Sequence, residues 1–163
     1  MDTTTIQLNL IVDMALKAWE SQNKQLVKLI DSLSDEQLAK EIAPGRNTGV
    51  YLLGHLIAVS DALLPLLGFS DRLYPDMDEV FIKNPDKAGL PKPTVTELKQ
   101  RLEAVNAKLN THFQSLDADE WLHKHTAVSA EDFSKEPHRN RLNVLMNRTG
   151  HLANHLGQML LLK

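Results

Sequence analysis

Apolar residues recur at three- and four-residue steps through four long stretches of the chain, a period that predicts helices and not strands. The first stretch covers residues 4–31. Leu8, Ile11, Val12, Ala15, Trp19, Leu26, Leu29 and Ile30 share one face, while Lys17, Glu20, Lys24 and Lys28 fall on others. Ser34-Asp35-Glu36-Gln37 reads as a capping box opening a short turn before Pro44-Gly45. The second stretch starts at Asn47 or Thr48 and ends at Leu67. It is apolar nearly all round, which predicts the most buried element, with Pro65 and Gly68 as stop signals. The third opens on a capping box, Thr94-Val95-Thr96-Glu97, and continues through Leu98, Leu102, Val105, Leu109 and Leu116. A fresh cap at Asp117-Ala118-Asp119-Glu120 precedes a short turn around Trp121. The fourth covers residues 139–162, with Leu142, Leu145, Thr149, Leu152, Leu156 and Met159 as its stripe.

Two long connections hold no sustained period. Residues 68–93 carry four of the seven prolines, and residues 122–137 carry His123 and His125. Structureless stretches of that length are often functional, and the first is placed over one end of the bundle. No strand pattern competes and no internal repeat is present. The expectation is all-α: a four-helix bundle forming a single domain over residues 1–163.

Composition narrows the function. Apolar residues at 42% and charged residues at 24% are globular values. A net charge of −3, with basic residues scattered among acidic ones, argues against nucleic acid as a partner. The chain has no cysteine, so disulfides and thiolate metal sites are excluded, and a metal site must use His, Asp or Glu. That fits a reducing, cytoplasmic setting. The N-terminal residues show neither a basic n-region nor a compact apolar h-region, so no signal peptide is read. The longest apolar stretch, residues 50–67, is interrupted by His55, Ser60, Asp61 and Pro65, which predicts a buried helix and no membrane span.

The chemistry concentrates in His151-Leu152-Ala153-Asn154-His155. Histidines four apart on a helix share a face and can converge on one ion. Leu152, Ala153 and Asn154 fill the interior of the pair with no glutamate, unlike the His-Glu-x-x-His of a zincin peptidase, so that class is excluded. No charged residue occurs from Thr149 to Leu162, yet Asn147, His151, Asn154 and Gln158 line up at coiled-coil spacing. They either line a polar interior, with Asn154 and Gln158 orienting the imidazoles, or face water. His55 lies in the most apolar part of the chain. Either one hydrogen bond satisfies it in the core, or it shares a metal with the fourth helix. Gly54 beside it allows a close approach by another helix or a ligand. His112, His123, His125 and His138 are weaker candidates. Asp61 points away from the His55 face, Asp13 is assigned to the surface, and Trp19 and Tyr51 to the core.

Leu53-Gly54-His55-Leu56 on the second helix and Gly150-His151-Leu152-Ala153-Asn154-His155-Leu156-Gly157-Gln158 on the fourth resemble the DinB/YfiT-like superfamily, and the likeness spans nearly the whole chain. The resemblance implies a four-helix bundle holding a divalent metal through His55, His151 and His155. It also implies relatives that are thiol-dependent transferases and isomerases, and a homodimer. Three neutral imidazoles leave an open coordination position, the pattern of a catalytic site, able to activate water or a small thiol. Nickel, zinc, iron and manganese all suit such ligands. A metal-dependent thiol transferase or hydrolase is the leading expectation, with a small-molecule thiol or electrophile as partner. A non-catalytic metal- or ligand-binding stress-response module is the alternative, and a bundle with structural histidines the third.

Overall fold

The computed structural model describes residues 3–163. Four long helices make the frame: α1 (Thr3–Ser32), α3 (Gly49–Asp61), α6 (Val95–Ser115) and α8 (Arg141–Met159). Between them lie the short helices α2 (Asp35–Leu38), α4 (Leu63–Leu66), α5 (Met77–Phe81) and α7 (Ala130–Lys135). Single 3-10 turns occur at Asp86–Ala88, Ala118–Leu122 and Leu160–Leu162, and no strand longer than an isolated bridge occurs among the described residues. Packing runs in a ring. α1 lies against α8, α8 against α3, and α3 against α6. The ring closes where Trp19 of α1 meets Phe113 of α6 edge to face at 6.3 Å.

The capping signals act as the sequence indicates. Ser34, Thr94 and Asp117 each form the reciprocal capping box, and Thr48 caps α3 by accepting from the Tyr51 N–H. Asn140 accepts from the Asn143 N–H, which sets the start of α8 at Arg141, two residues later than its apolar stripe indicated. The second stretch is interrupted. α3 ends at Asp61 and α4 begins at Leu63, because Pro65 has no N–H to give the Asp61 carbonyl and its ring crowds that group. Leu52, Leu53, Leu56, Ile57, Leu63 and Leu64 are all essentially inaccessible, so this stretch is the centre of the core. The window Gly49–Leu66 is apolar enough to cross a membrane by length and composition, yet 72% of it is buried against the rest of the protein.

Three expectations need correction. Residues 68–93 and 122–137 are not structureless: they hold α5, α7 and the turn at Asp86–Ala88. These elements have only 5, 6 and 3 residues, too few to establish a period. Ile11 is 54% exposed and sits with Ile6, Leu10 and Met14 on an uncovered part of α1, not in the core stripe. Leu116 lies beyond the end of α6, and Phe113 is the buried residue of its last turn.

The segment after α4 runs back along α3 as a strap. Asp61, with no exposed surface, accepts from the Leu73 N–H at 2.8 Å, the Tyr74 N–H at 2.9 Å and Arg72 Nε at 3.2 Å. Arg72 also bonds Asp78 at the start of α5 and the Ala58 carbonyl. Burial works against the Arg72 charge, but its two carboxylate partners raise its pKa overall. Further along, His55 bonds the Phe81 carbonyl, and Tyr51 Oη donates to the Asn84 carbonyl at 2.7 Å. Finally Asp86 accepts from the Thr48 N–H and hydroxyl at 2.7 and 2.8 Å. Burial opposes the Asp86 charge, but Lys92 and Thr48 together hold its carboxyl below the usual range.

Asp61→Ala leaves two backbone N–H groups and a guanidinium without their buried acceptor. The expected loss is about 3–5 kcal/mol, or roughly 10 °C in Tm for a chain of this size. Thermal unfolding followed by circular dichroism measures it, and a change under 2 °C would refute the anchoring role (a threshold of about one kcal/mol or less).

Candidate metal centre

His55 projects from the middle of α3, and His151 and His155 project from successive turns of α8. The fold brings all three together. His55 Nε2 lies 3.3 Å from His151 Nε2, and His155 Nε2 lies 3.1 Å from the same atom. The ring centroids are 4.6–5.2 Å apart and mutually edge-on, and all three side chains are partly buried.

The outer ring nitrogens decide what the inner ones can do. His55 Nδ1 is 2.8 Å from the Phe81 carbonyl oxygen, which can only accept, so Nδ1 carries the proton. His155 Nδ1 is 2.8 Å from Gln158 Oε1 and donates in the same way. With a single ring proton each, held at Nδ1, His55 and His155 turn bare Nε2 lone pairs towards His151. A single proton on His151 Nε2 cannot bridge both contacts well, and at least one acceptor–acceptor contact remains. A cation resolves this. Two imidazole nitrogens about 2.0–2.1 Å from one ion at a tetrahedral angle stand about 3.4 Å apart, close to the spacings present. The donor set thus fits a divalent ion, and the outer hydrogen bonds are those that orient ligand imidazoles.

Packing fixes His55 further. Gly54 has no side chain because the Phe81 ring lies against its Cα, where a Cβ would overlap the ring. The close approach expected at Gly54 is made by this aromatic ring. Tyr51 stacks nearly parallel to His55, with centroids 6.5 Å apart and planes 7° from each other.

Electrostatics favour the neutral forms of His55 and His151. Burial, with the neighbouring charges of His155 and Arg148, holds His55 below the ordinary histidine range despite its bond to Phe81. His151 is pushed down to about 4 by burial first and then by His155, His55 and Arg148.

The other candidates lie elsewhere. Asn154 is exposed and makes no hydrogen bond to the three rings, and Asn147 is exposed and bonds Asn143. The amide stripe is therefore split: at ~100° per residue these two asparagines fall farther from the core than His155 does. His112 stacks on Phe69 at 4.7 Å, His125 accepts from the Ala127 N–H, and His123 and His138 are exposed. Asp13 is exposed, and Trp19 and Tyr51 are buried, as their patterns indicated. Two contributors are not evident from spacing: the Phe81 carbonyl, a backbone group on a five-residue helix, and Arg148. The second has a visible signal, because it stands three residues before His151.

An all-α bundle gathering three imidazoles from two adjacent long helices defines a class of helical proteins with a potential metal site. The chain belongs to the DinB superfamily, whose family pattern matches residues 18–159. Its fold is similar to the crystal structure of a conserved protein from Enterococcus faecalis, with a TM-score of 0.63 at 16% identity, covering 98% of this chain and 94% of that one. Identity that low speaks for the fold alone. No curated protein sequence matches the chain.

The lowered pKa values of His55 and His151 make the metal-free protein acid-sensitive. Between pH 6.5 and 4 the unfolded chain protonates His151 while the folded chain does not, so the unfolded state binds more protons and stability falls with pH. His55 is lowered too and acts in the same direction. In the presence of a chelator, Tm is expected to drop steadily from pH 6.5 to 4, and His151→Gln is expected to flatten the profile. Identical profiles for the two proteins would contradict this electrostatic account.

Proposed function

We propose that this protein is a metal-dependent enzyme in which His55, His151 and His155 hold one divalent ion, and that it activates water or a small thiol for hydrolysis or for transfer to an electrophile. The observation that carries the reading is the convergence of Nε2 atoms at 3.1 and 3.3 Å while Nδ1 of His55 and His155 is committed to outer acceptors. When bound, such an ion supplies positive charge and an open position that lowers the pKa of water or a thiol. The protein's part is to present bare nitrogens. Phe81 and Gln158 hold the protons on the far side of two rings, and Tyr51, itself packed on the Phe81 ring, stacks against His55. With no cysteine in the chain, a thiol nucleophile has to be a separate small molecule. Nickel, zinc, iron and manganese remain the candidate ions.

One observation favours a non-catalytic binding role as the second reading. Among the described residues, no carboxylate figures in the charges that shift His55 or His151, so no side-chain base stands out beside them. Turnover of a thiol with an electrophile by the loaded protein separates the two. We further place the protein in the reducing cytoplasm, and we assign the exposed Ile6, Leu10 and Met14 of α1 to a homodimer contact.

Elemental analysis of tag-free protein tests the site. The expectation is roughly one transition-metal ion per chain, with most of it lost in both His55→Ala and His151→Ala. Absence of any bound ion after loading with several divalent metals would end this reading. Gly54→Ala forces Phe81 off α3 and takes its carbonyl from His55. It is expected to cut metal affinity about 10–100-fold, the usual effect of losing an outer partner of a ligand, as read by chelator competition.

A further inference from the structure

Arg148 is the arginine in the chain whose charge has no evident purpose in the fold. Arg72 is held by Asp61 and Asp78, Arg101 by Asp76, and Arg139 by Glu136, while Arg141 donates to the Glu120 carbonyl. Arg46 is exposed to water. Arg148 is partly buried and has neither a hydrogen bond nor an ion pair with any described residue. Burial alone shifts its pKa, downwards, and no carboxylate opposes the shift. A guanidinium partly withdrawn from water without a partner is costly and calls for an anion.

Its location says which anion. Arg148 stands one turn before His151 on α8, about 4.5 Å of rise away, and projects within about 20° of His155 around the helix. Its charge reaches His151 on its own helix and His55 across the bundle. Among the described residues no carboxylate forms an ion pair with Arg148, and the charge it brings to His55 and His151 is positive. An ion held by the histidines would add to it.

We propose that Arg148 is the anion-recognition residue of this site, taking an oxyanion group, a carboxylate or a phosphate, of a small substrate whose other end reaches the three histidines. The planar guanidinium offers two parallel N–H donors to such a group. The preferred substrates are therefore small acidic molecules, and neutral analogues of the same length are discriminated against. The identity of the substrate end at the histidines rests on the metal-centre reading, whereas the anion contact does not.

The test uses the full chain, wild type beside Arg148→Gln and Arg148→Lys, with metal content measured on each. With loaded protein, 3-mercaptopropionate and the neutral 3-mercaptopropanol are titrated calorimetrically at constant ionic strength. Wild type is expected to prefer the acid by about tenfold or more, Arg148→Gln to lose that preference with its metal retained, and Arg148→Lys to keep part of it. Equal binding of the two thiols by wild type, or an unchanged preference in Arg148→Gln, overturns the proposal. If no ion binds at all, the metal reading fails and the Arg148 contact is read separately. The Nε signal of Arg148 in metal-free protein is then followed by NMR during titration with acetate, inorganic phosphate and acetamide. A saturable shift with either anion and none with acetamide supports the contact and tells carboxylate from phosphate; no shift with either anion overturns it.

Discussion

One hydrogen bond, from His55 Nδ1 to the Phe81 carbonyl, links the bundle to its chemistry. It fixes the tautomer and thereby aims a lone pair at α8. The bond is possible only because Phe81 lies flat on α3, and that in turn needs the bare Cα of Gly54. Phe81 ends α5, and α5 is tied at its other end through Asp78 to Arg72 and on to the buried Asp61. Two residues of α3, Gly54 and Asp61, thus position a carbonyl that belongs to neither of the site's long helices. The apolar surroundings make the arrangement strict, since a histidine without a partner there would be desolvated and unsatisfied.

The frame was readable because its signals are long or chemically specific. Twenty or more residues of steady period define α1 and α6, and the reciprocal Ser/Thr…Glu/Gln caps mark starts to the residue. The four-residue step between His151 and His155 survives any error in helix boundaries, which is why the pair was visible. Pairing with His55 cannot come from periodicity, because it depends on which faces of α3 and α8 meet; the polarity of the α8 stripe and the family resemblance point to it. The strap is not legible in the sequence for a different reason. Its helices are too short to show a period, and what holds it is a set of side-chain bonds to α3 across 11 to 38 residues of sequence. Gln158 and Asn154 looked equivalent as amides, yet only Gln158 has its oxygen on a ring. The direction of a single side chain decided between them, and composition carries no trace of that.

The charge pattern around the centre follows from the same economy of polar groups. Carboxylates in this protein are spent on tying segments together: Asp61 and Asp86 on the strap, Glu97 and Glu120 in caps. Among the described residues no carboxylate figures in the shifts of His55 and His151, whose neutral forms are favoured by burial and by neighbouring positive charge. What such a site offers a cation is imidazole lone pairs.

The strap also orders events in time. His55 and His151 are separated by 96 positions in the chain. During synthesis α3 and its strap leave the ribosome first, so the His55 ring can be set while α8 is still unmade. The nitrogens of α8 then arrive at a ring already oriented. Until residue 151 has emerged, the nascent protein presents only one member of the trio, too few to trap a wandering ion in a misassembled bundle.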